Sequence, residues 1–188
     1  DDKGQVVSMT TSVESAFGSK IMVHGFLLNN QLTDFALSPK DEMGRLSVNR
    51  VEPGKRPRVT LTPSMALKDG KPYLSFAKQA GDEQDQLLLQ FFLNMAEFDM
   101  TVQEACEAPS FKTLQMYSSF GKHERINGGL TLNEATPSWT RKDLGRMGYK
   151  INYQERTSGP INAIYFDWKH GSFWGGSSNH GEDYGIGW

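Results

Sequence analysis

The sequence has almost no cysteine, since Cys106 stands alone among 188 residues. A single thiol excludes an internal disulfide framework, and we expect it to fill space on the buried side of a short helix. The longest apolar run, residues 87–95, is interrupted by Gln90 and Asn94 and is far too short to cross a bilayer. The 4 histidines lack metal-ligand spacing. We therefore predict no metal site and no cofactor.

An excess of either charge is also missing, because 20 lysines and arginines face 22 aspartates and glutamates, for a net charge of −2. The two signs are interspersed along the chain, as on an ordinary protein surface. This balance argues against a nucleic-acid groove and against a polybasic membrane patch. The length fits one domain, and we expect residues 1–188 to be a single domain piece.

Local patterns predict the secondary structure. Residues 5–13 are rich in Val, Thr and Ser and predict a strand, whereas Asp69-Gly70 separates two apolar runs and predicts a tight hairpin turn. The pair Thr101 and Glu104 has the spacing of a capping box at a helix start. Strands, then helices, then strands, joined by hairpin turns, indicate an α+β fold with largely antiparallel sheets. Helices are predicted at residues 85–98, 101–108 and 138–147, further strands at residues 149–154, 161–168 and 172–174, and a long loop at residues 40–57.

Two short segments have the residue types of a functional site. Residues 29–35 place amides and one carboxylate, Asp34, directly after an apolar run, where they can build turns or bind an ammonium or amide group. At Ala80-Gly81, two small residues precede carboxylates at the start of a predicted helix. The unpaired N–H groups of that helix start can be capped locally or can hold an oxyanion. Residue chemistry alone leaves both alternatives open at both segments.

Four segments in chain order carry a family resemblance: "FGSKIMVHGFLLNNQLTDF", "PGKRPRVTLTPSMALKDGKPYLSF", "AGDEQDQLLLQFFLNMAEFDMTVQEACEAPSF" and the closing "YGIGW". Together they resemble the small subunit of the gamma-glutamyltransferase family. That family belongs to the N-terminal nucleophile hydrolases and includes cephalosporin acylases. The likeness extends over nearly the whole chain, and no single motif accounts for it.

The resemblance implies a four-layer αββα sandwich of stacked antiparallel sheets, shared with a large subunit from the same precursor. In the family the precursor cleaves itself, and the new N-terminal threonine becomes the nucleophile with its own α-amino group as base. The resemblance places that threonine shortly before Asp1, so that the chain would lack the extreme N-terminus of the small subunit. We also expect the hairpin partner of the first predicted strand to lie there.

The resemblance further implies catalytic roles for three residues. Ser12 matches the threonine whose hydroxyl supports the nucleophile. Ala80 and Gly81 match paired glycines whose N–H groups form the oxyanion hole. Ala80 adds a methyl group where the family has glycine.

Five more residues fall on substrate-binding positions of the family. Gln31 and Asp34 match residues that hold the α-amino group of a gamma-glutamyl substrate. Glu14 stands where many members have asparagine, and an additional carboxylate favours an ammonium. The paired serines that hold the substrate α-carboxylate fall on Val59 and Thr60. Val59 has no side-chain donor, and together with Glu14 and Ala80 it makes the pattern fit an acylase or peptide-amide branch about as well as a glutathione-type enzyme.

We therefore expect an enzyme that cleaves or transfers a gamma-glutamyl or similar acyl group from an amide through a threonine acyl-enzyme. A cephalosporin- or glutaryl-acylase type of amidase and a catalytically inactive scaffold relative are the alternatives. The expected partners are the large subunit and a small amide substrate, with no nucleic acid and no membrane segment in this chain. The resemblance favours a periplasmic or secreted location and leaves a cytoplasmic one open.

Overall fold

The computed structural model describes residues 1, 3–41, 43–120, 123–156, 160–180 and 185. Its helices are α1 (Gln84–Ala96), α2 (Val102–Glu107) and α3 (Ser138–Arg146), and a 3₁₀ turn spans Gln31–Asp34. None of these helices has the length and hydropathy of a membrane span. The strands are β1 (Met22–Val23), β2 (Phe26–Leu27), β3 (Ser64–Lys68), β4 (Lys71–Lys78), β5 (Phe111–Thr113), β6 (Gly129–Asn133), β7 (Lys150–Gln154), β8 (Ile161–Asp167) and β9 (Ser172–Ser177).

The larger sheet is antiparallel throughout and has the strand order β3-β4-β8-β9. The β3–β4 hairpin turns at Asp69 and Gly70, which have φ angles of 53° and 75°. Both residue types accept positive φ at little cost, which explains why this dipeptide sets the turn. The predicted hairpin is confirmed, and it fixes β4 as a central strand whose last residues lead into the candidate site.

A second sheet has the order β5-β6-β7. Its β5–β6 pair is antiparallel, but β6 and β7 are parallel and are connected through α3. A parallel pair needs such a crossover because a tight turn can only reverse the chain. The prediction of largely antiparallel sheets is confirmed, with this one βαβ unit as the exception among the described strands.

Helix α1 forms because its apolar residues recur at three- and four-residue spacing, so that Leu87, Leu88, Phe91 and Met95 share one buried face. This face packs against the side chains of β4, and the ring centroids of Phe76 and Phe91 lie 5.3 Å apart. Helix α2 lies on β8 and β9. The core between helices and sheet comprises Leu74, Phe76, Leu88, Phe91, Met95, Val102, Ala105, Cys106, Ile161 and Ala163.

All three predicted helices are confirmed, with ends that differ by at most two residues from the predicted ones. The predicted capping box at α2 is present: the Thr101 hydroxyl accepts a hydrogen bond from the N–H of Glu104, and the Glu104 carboxylate accepts one from the N–H of Thr101. Cys106 is buried on α2, as expected.

The predicted strand at residues 5–13 is wrong, because the segment forms no ladder with any described strand. Both edges of the nearby strand β4 are already paired, with β3 and with β8, and the Ser8 hydroxyl donates to the Phe76 carbonyl at 3.3 Å. Strands β5 and β6 were not predicted from the sequence. Of the closing segment 184–188, which contributes to the family resemblance, only Gly185 lies within the described residues.

The packing of α1 on β4 predicts the effect of shortening its central aromatic side chain. Phe91 is 1% exposed, so Phe91→Ala leaves a cavity and should lower the free energy of unfolding by about 3–5 kcal/mol. Leu89 on the same helix is 58% exposed, and Leu89→Ala should cost less than about 1 kcal/mol. Chemical denaturation of both variants measures this difference. Equal losses would contradict the described core.

Candidate functional site

The bend at Ala80-Gly81 connects the end of β4 to the start of α1. No described residue accepts a hydrogen bond from the backbone N–H of Ala80 or of Gly81. Gly81 lines a cleft of about 460 Å³ together with Phe120, whose ring would lie 2.7 Å from a β-carbon placed on Gly81. Two neighbouring donors beside an open cleft can stabilise a developing oxyanion.

A buried amide holds this bend in place. Gln84, at the first position of α1, is 2% exposed, and its Nε2 donates to the carbonyl of Ala80. Its Oε1 accepts from both the N–H and the hydroxyl of Thr62, each at 3.2 Å. Because the Ala80 carbonyl is bound on the protein side, the adjoining peptide groups keep a fixed orientation. Gln84 therefore ties the segment before β3 to the bend.

A second group of residues in the candidate site is acidic. Asp34 is 3% exposed, and its carboxylate Oδ1 has no hydrogen-bond partner among the described residues. Burial, followed by the nearby charge of Asp82, raises the pKa of Asp34. Burial and the charge of Asp34 raise the pKa of Glu14, while a hydrogen bond from Gln31 lowers it. Glu14, Gln31 and Asp34, all predicted from the resemblance, thus lie together, and such a group can bind an ammonium.

Asn49 and Arg58 link this acidic group to the bend. The Asn49 amide donates to the Asp34 carbonyl at 2.6 Å and accepts from the Arg58 N–H at 3.0 Å. The Arg58 guanidinium lies 3.8 Å from Asp82 Oδ1. Asp82 follows Gly81 directly and is fixed through its Oδ2, which accepts from the Ser119 N–H at 2.7 Å. The loop that carries Asp34 and the bend are therefore neighbours in space.

The other predicted site residues have fewer contacts. The Ser12 hydroxyl accepts from the N–H of Glu14 at 2.8 Å, which places it beside the acidic group. Val59 is 55% exposed and Thr60 is half-buried. Both lie on the segment that Gln84 anchors at Thr62. Among the described residues, no group of three or more His, Cys, Asp or Glu side chains is arranged to hold a metal ion.

Sequence reasoning missed three residues that build the site, Gln84, Asn49 and Asp82. For Gln84 a signal existed, because it precedes Leu87 and Leu88 by three and four residues and so occupies the apolar face of α1. A polar side chain on that face must find buried partners. Asn49 and Asp82 had no such signal, since their partners are distant in the sequence.

Next to the bend lies an unusual buried lysine. Lys78, the last residue of β4, is 2% exposed, and its Nζ has no hydrogen-bond partner among the described residues. Burial lowers the pKa of Lys78 from 10.5 to about 8; the charge of Glu83 opposes this shift and that of Lys112 adds to it. Glu83 itself pairs with Lys112 at 3.3 Å. Lys78 is thus a costly buried cation two residues before the candidate oxyanion site.

Solved structures define the class of protein. A variant of Helicobacter pylori gamma-glutamyltranspeptidase matches the chain with a TM-score of 0.79 at 27% sequence identity, covering 95% of this chain and 95% of that chain. The neighbour has the N-terminal nucleophile hydrolase fold, which confirms the predicted fold class.

The chain belongs to the gamma-glutamyltranspeptidase family, whose sequence model matches residues 1–188. It is 33% identical over 190 residues to a glutathione hydrolase proenzyme of Bacillus subtilis strain 168, covering 99% of this chain and 30% of that relative. It is 29% identical over 169 residues to the acylase ACY 1 proenzyme of Pseudomonas sp. strain SE83, covering 89% of this chain and 27% of that relative. The chain therefore spans less than a third of the length of these relatives.

The buried charge of Lys78 predicts an unusual dependence of stability on pH. Because its pKa is about 8 in the folded protein and 10.5 ordinarily, folding becomes more favourable as pH rises between these values. Lys78→Met removes this dependence and should raise the free energy of unfolding near pH 7 by on the order of 2 kcal/mol. The gain should shrink as pH rises toward 10.5. Denaturation at several pH values measures both effects.

Lys142→Met on α3 is the control, because it removes an exposed ammonium. This variant should be no more stable than the parent protein. If Lys78→Met were less stable than the parent at pH 7, the description of Lys78 as an unpaired buried cation would be contradicted.

Proposed function

We propose that the chain is the small-subunit part of an enzyme that cleaves or transfers a gamma-glutamyl or similar acyl group from an amide. Its partner is a large subunit from the same precursor, and its nucleophile is the threonine that the family resemblance places before Asp1. The similarity to a glutathione hydrolase proenzyme and to an acylase proenzyme supports an amide substrate. We treat residues 1–188 as one domain piece of that enzyme.

One observation supports this proposal most: Asp34, buried and with no hydrogen-bond partner for its Oδ1 among the described residues, interacts with the charge of Asp82, which directly follows the unbonded N–H groups at Ala80-Gly81. The N–H groups fit the oxygen of a carbonyl under attack, and the carboxylate fits an ammonium on the acyl group. A gamma-glutamyl amide has both groups on one molecule. Its acyl carbon would thereby be fixed relative to the bend.

The chemistry proceeds in two acyl-transfer steps. The threonine hydroxyl attacks the amide carbonyl carbon, and its proton passes to the threonine α-amino group. The N–H groups of Ala80 and Gly81 stabilise the resulting oxyanion, and the amine leaves after it receives that proton. Water or a second amine then attacks the ester, which releases the acid or the transferred acyl product and restores the threonine.

An acylase activity is the second candidate, and Val59 favours it. Val59 occupies the position that the resemblance assigns to a serine for the substrate α-carboxylate, and its side chain cannot donate a hydrogen bond. A site with one side-chain donor fewer for this carboxylate discriminates more weakly for a gamma-glutamyl group. The relation to the ACY 1 acylase proenzyme agrees with this candidate.

The direct test uses the purified full-length protein. Intact mass should show two chains, the smaller beginning at threonine, and both a gamma-glutamyl anilide and a glutaryl anilide are assayed for release of the aniline. Cleavage of the gamma-glutamyl anilide supports the main proposal, and cleavage of the glutaryl anilide alone supports the acylase. A single uncleaved chain with no activity on either substrate would overturn both and indicate an inactive scaffold.

Asp34→Asn tests the ammonium site. The charge-assisted hydrogen bond to an ammonium is lost, so kcat/KM for the gamma-glutamyl anilide should fall by about 10- to 200-fold. The glutaryl anilide has no ammonium, and its kcat/KM should change by less than about 3-fold. Asp69→Asn, at the exposed hairpin turn, is the matched control and should affect neither substrate. Equal losses on both substrates after Asp34→Asn would mean that Asp34 only supports its loop.

A further inference from the structure

A second carboxylate beside the bend has an unsatisfied oxygen. Asp82 Oδ1 is buried and has no hydrogen-bond partner among the described residues, as is also true of Asp34 Oδ1. The other oxygen of Asp82 is engaged, because Oδ2 accepts from the Ser119 N–H at 2.7 Å. This bond fixes the carboxylate and leaves Oδ1 available. A buried hydrogen-bond acceptor without a donor costs about 1–3 kcal/mol of folding free energy. A bound donor group would therefore stabilise both oxygens.

The two unpaired oxygens belong to the same part of the site. Asn49 bonds to the Asp34 carbonyl and to the Arg58 N–H, and the Arg58 guanidinium approaches Asp82 Oδ1. The charge of Asp82 also acts on Asp34 strongly enough to raise the pKa of Asp34. Asp82 lines the cleft next to Gly81, where the proposed function places the acyl group.

Arg58 lies near this charge but donates no hydrogen bond to Asp82 Oδ1. Its Nη2 lies 3.8 Å from Asp82 Oδ1, which is beyond hydrogen-bond distance, and the same nitrogen donates to the Tyr117 carbonyl at 3.3 Å. The Arg58 guanidinium lies near Asp82, while the charge of Asp82 acts on Asp34 and that of Asp34 acts on Glu14. Like charges held together in a partly buried site are favourable only with a cation among them, and an ammonium offers three donors.

We propose that Asp82 is a specificity-determining residue that binds, together with Asp34, the ammonium group of the acyl donor. This inference rests on the proposed function and deepens it by naming the substrate class. The site prefers acyl donors that bear an ammonium, and it tolerates the loss of the donor's carboxylate. Val59, which has no hydrogen-bond donor in its side chain, agrees with that tolerance.

The test compares three anilides with the full-length enzyme: gamma-glutamyl, with ammonium and carboxylate; 4-aminobutanoyl, with ammonium alone; and glutaryl, with carboxylate alone. Asp82→Asn should lower kcat/KM about 10-fold for the two ammonium donors, the size expected for one charge-assisted bond. For the glutaryl donor, kcat/KM should stay constant or rise, because a repelling charge is gone. Asparagine retains an oxygen for the Ser119 N–H, so the loop keeps that bond.

Two further variants separate a role of Asp82 in substrate binding from an effect of net charge or of misfolding. Asp85→Asn removes an exposed charge from the first turn of α1 and should leave all three rates unchanged. If Asp82→Asn does not fold, Asp82→Ser serves instead, because its hydroxyl can also accept from Ser119 and it removes the same charge. A specificity change shared by Asp82→Asn and Asp85→Asn would overturn the proposal, since it would show an effect of net charge alone.

The outcomes separate this inference from the proposed function. If the parent enzyme cleaves none of the three anilides, the proposed function fails, and the role of Asp82 fails with it. If the parent enzyme cleaves the ammonium donors but Asp82→Asn lowers all three rates by the same factor, only the inference fails. Asp82 would then support the bend rather than contact the substrate.

Discussion

The architecture of the site depends on one buried hydrogen-bonding side chain, the amide of Gln84. It binds the Ala80 carbonyl on one side and Thr62 on the other, so the bend and the segment bearing Val59 and Thr60 are held together. With the carbonyl engaged, the N–H groups at Ala80-Gly81 have no described acceptor. An apolar residue at position 84 would pack on α1 equally well but would leave these groups unpaired.

The second constraint on the site is the repulsion among its neighbouring carboxylates. The charge of Asp82 acts on Asp34 and that of Asp34 acts on Glu14, and burial together with these charges raises the pKa of Asp34 and of Glu14. The Arg58 guanidinium lies 3.8 Å from Asp82. A fold that accepts such crowding loses stability, which is common where a site must bind an opposite charge. The bend and the acidic group together explain how one acyl donor could be held at both ends.

Features set by neighbouring residues were predictable from the sequence. The Asp69-Gly70 hairpin, the capping box of α2 and the periodic α1 all follow from local chemistry. The strand expected at residues 5–13 failed because pairing depends on a partner, and β3 and β8 already occupy both edges of β4. In the candidate site, the residue types at Ala80-Gly81 and Asp34 indicated possible ligand-binding positions. They did not distinguish ligand binding from local capping or turn formation. The links through Asn49 and Asp82 join distant segments, which no local pattern reveals.

The most direct test is a crystal structure of the full-length protein with a gamma-glutamyl group trapped on its nucleophile. The acyl oxygen should lie about 3 Å from the N–H groups of Ala80 and Gly81, within hydrogen-bond distance. The ammonium should contact the Asp34 carboxylate. An acyl oxygen bound elsewhere, with those N–H groups bonded to other parts of the protein, would contradict the account.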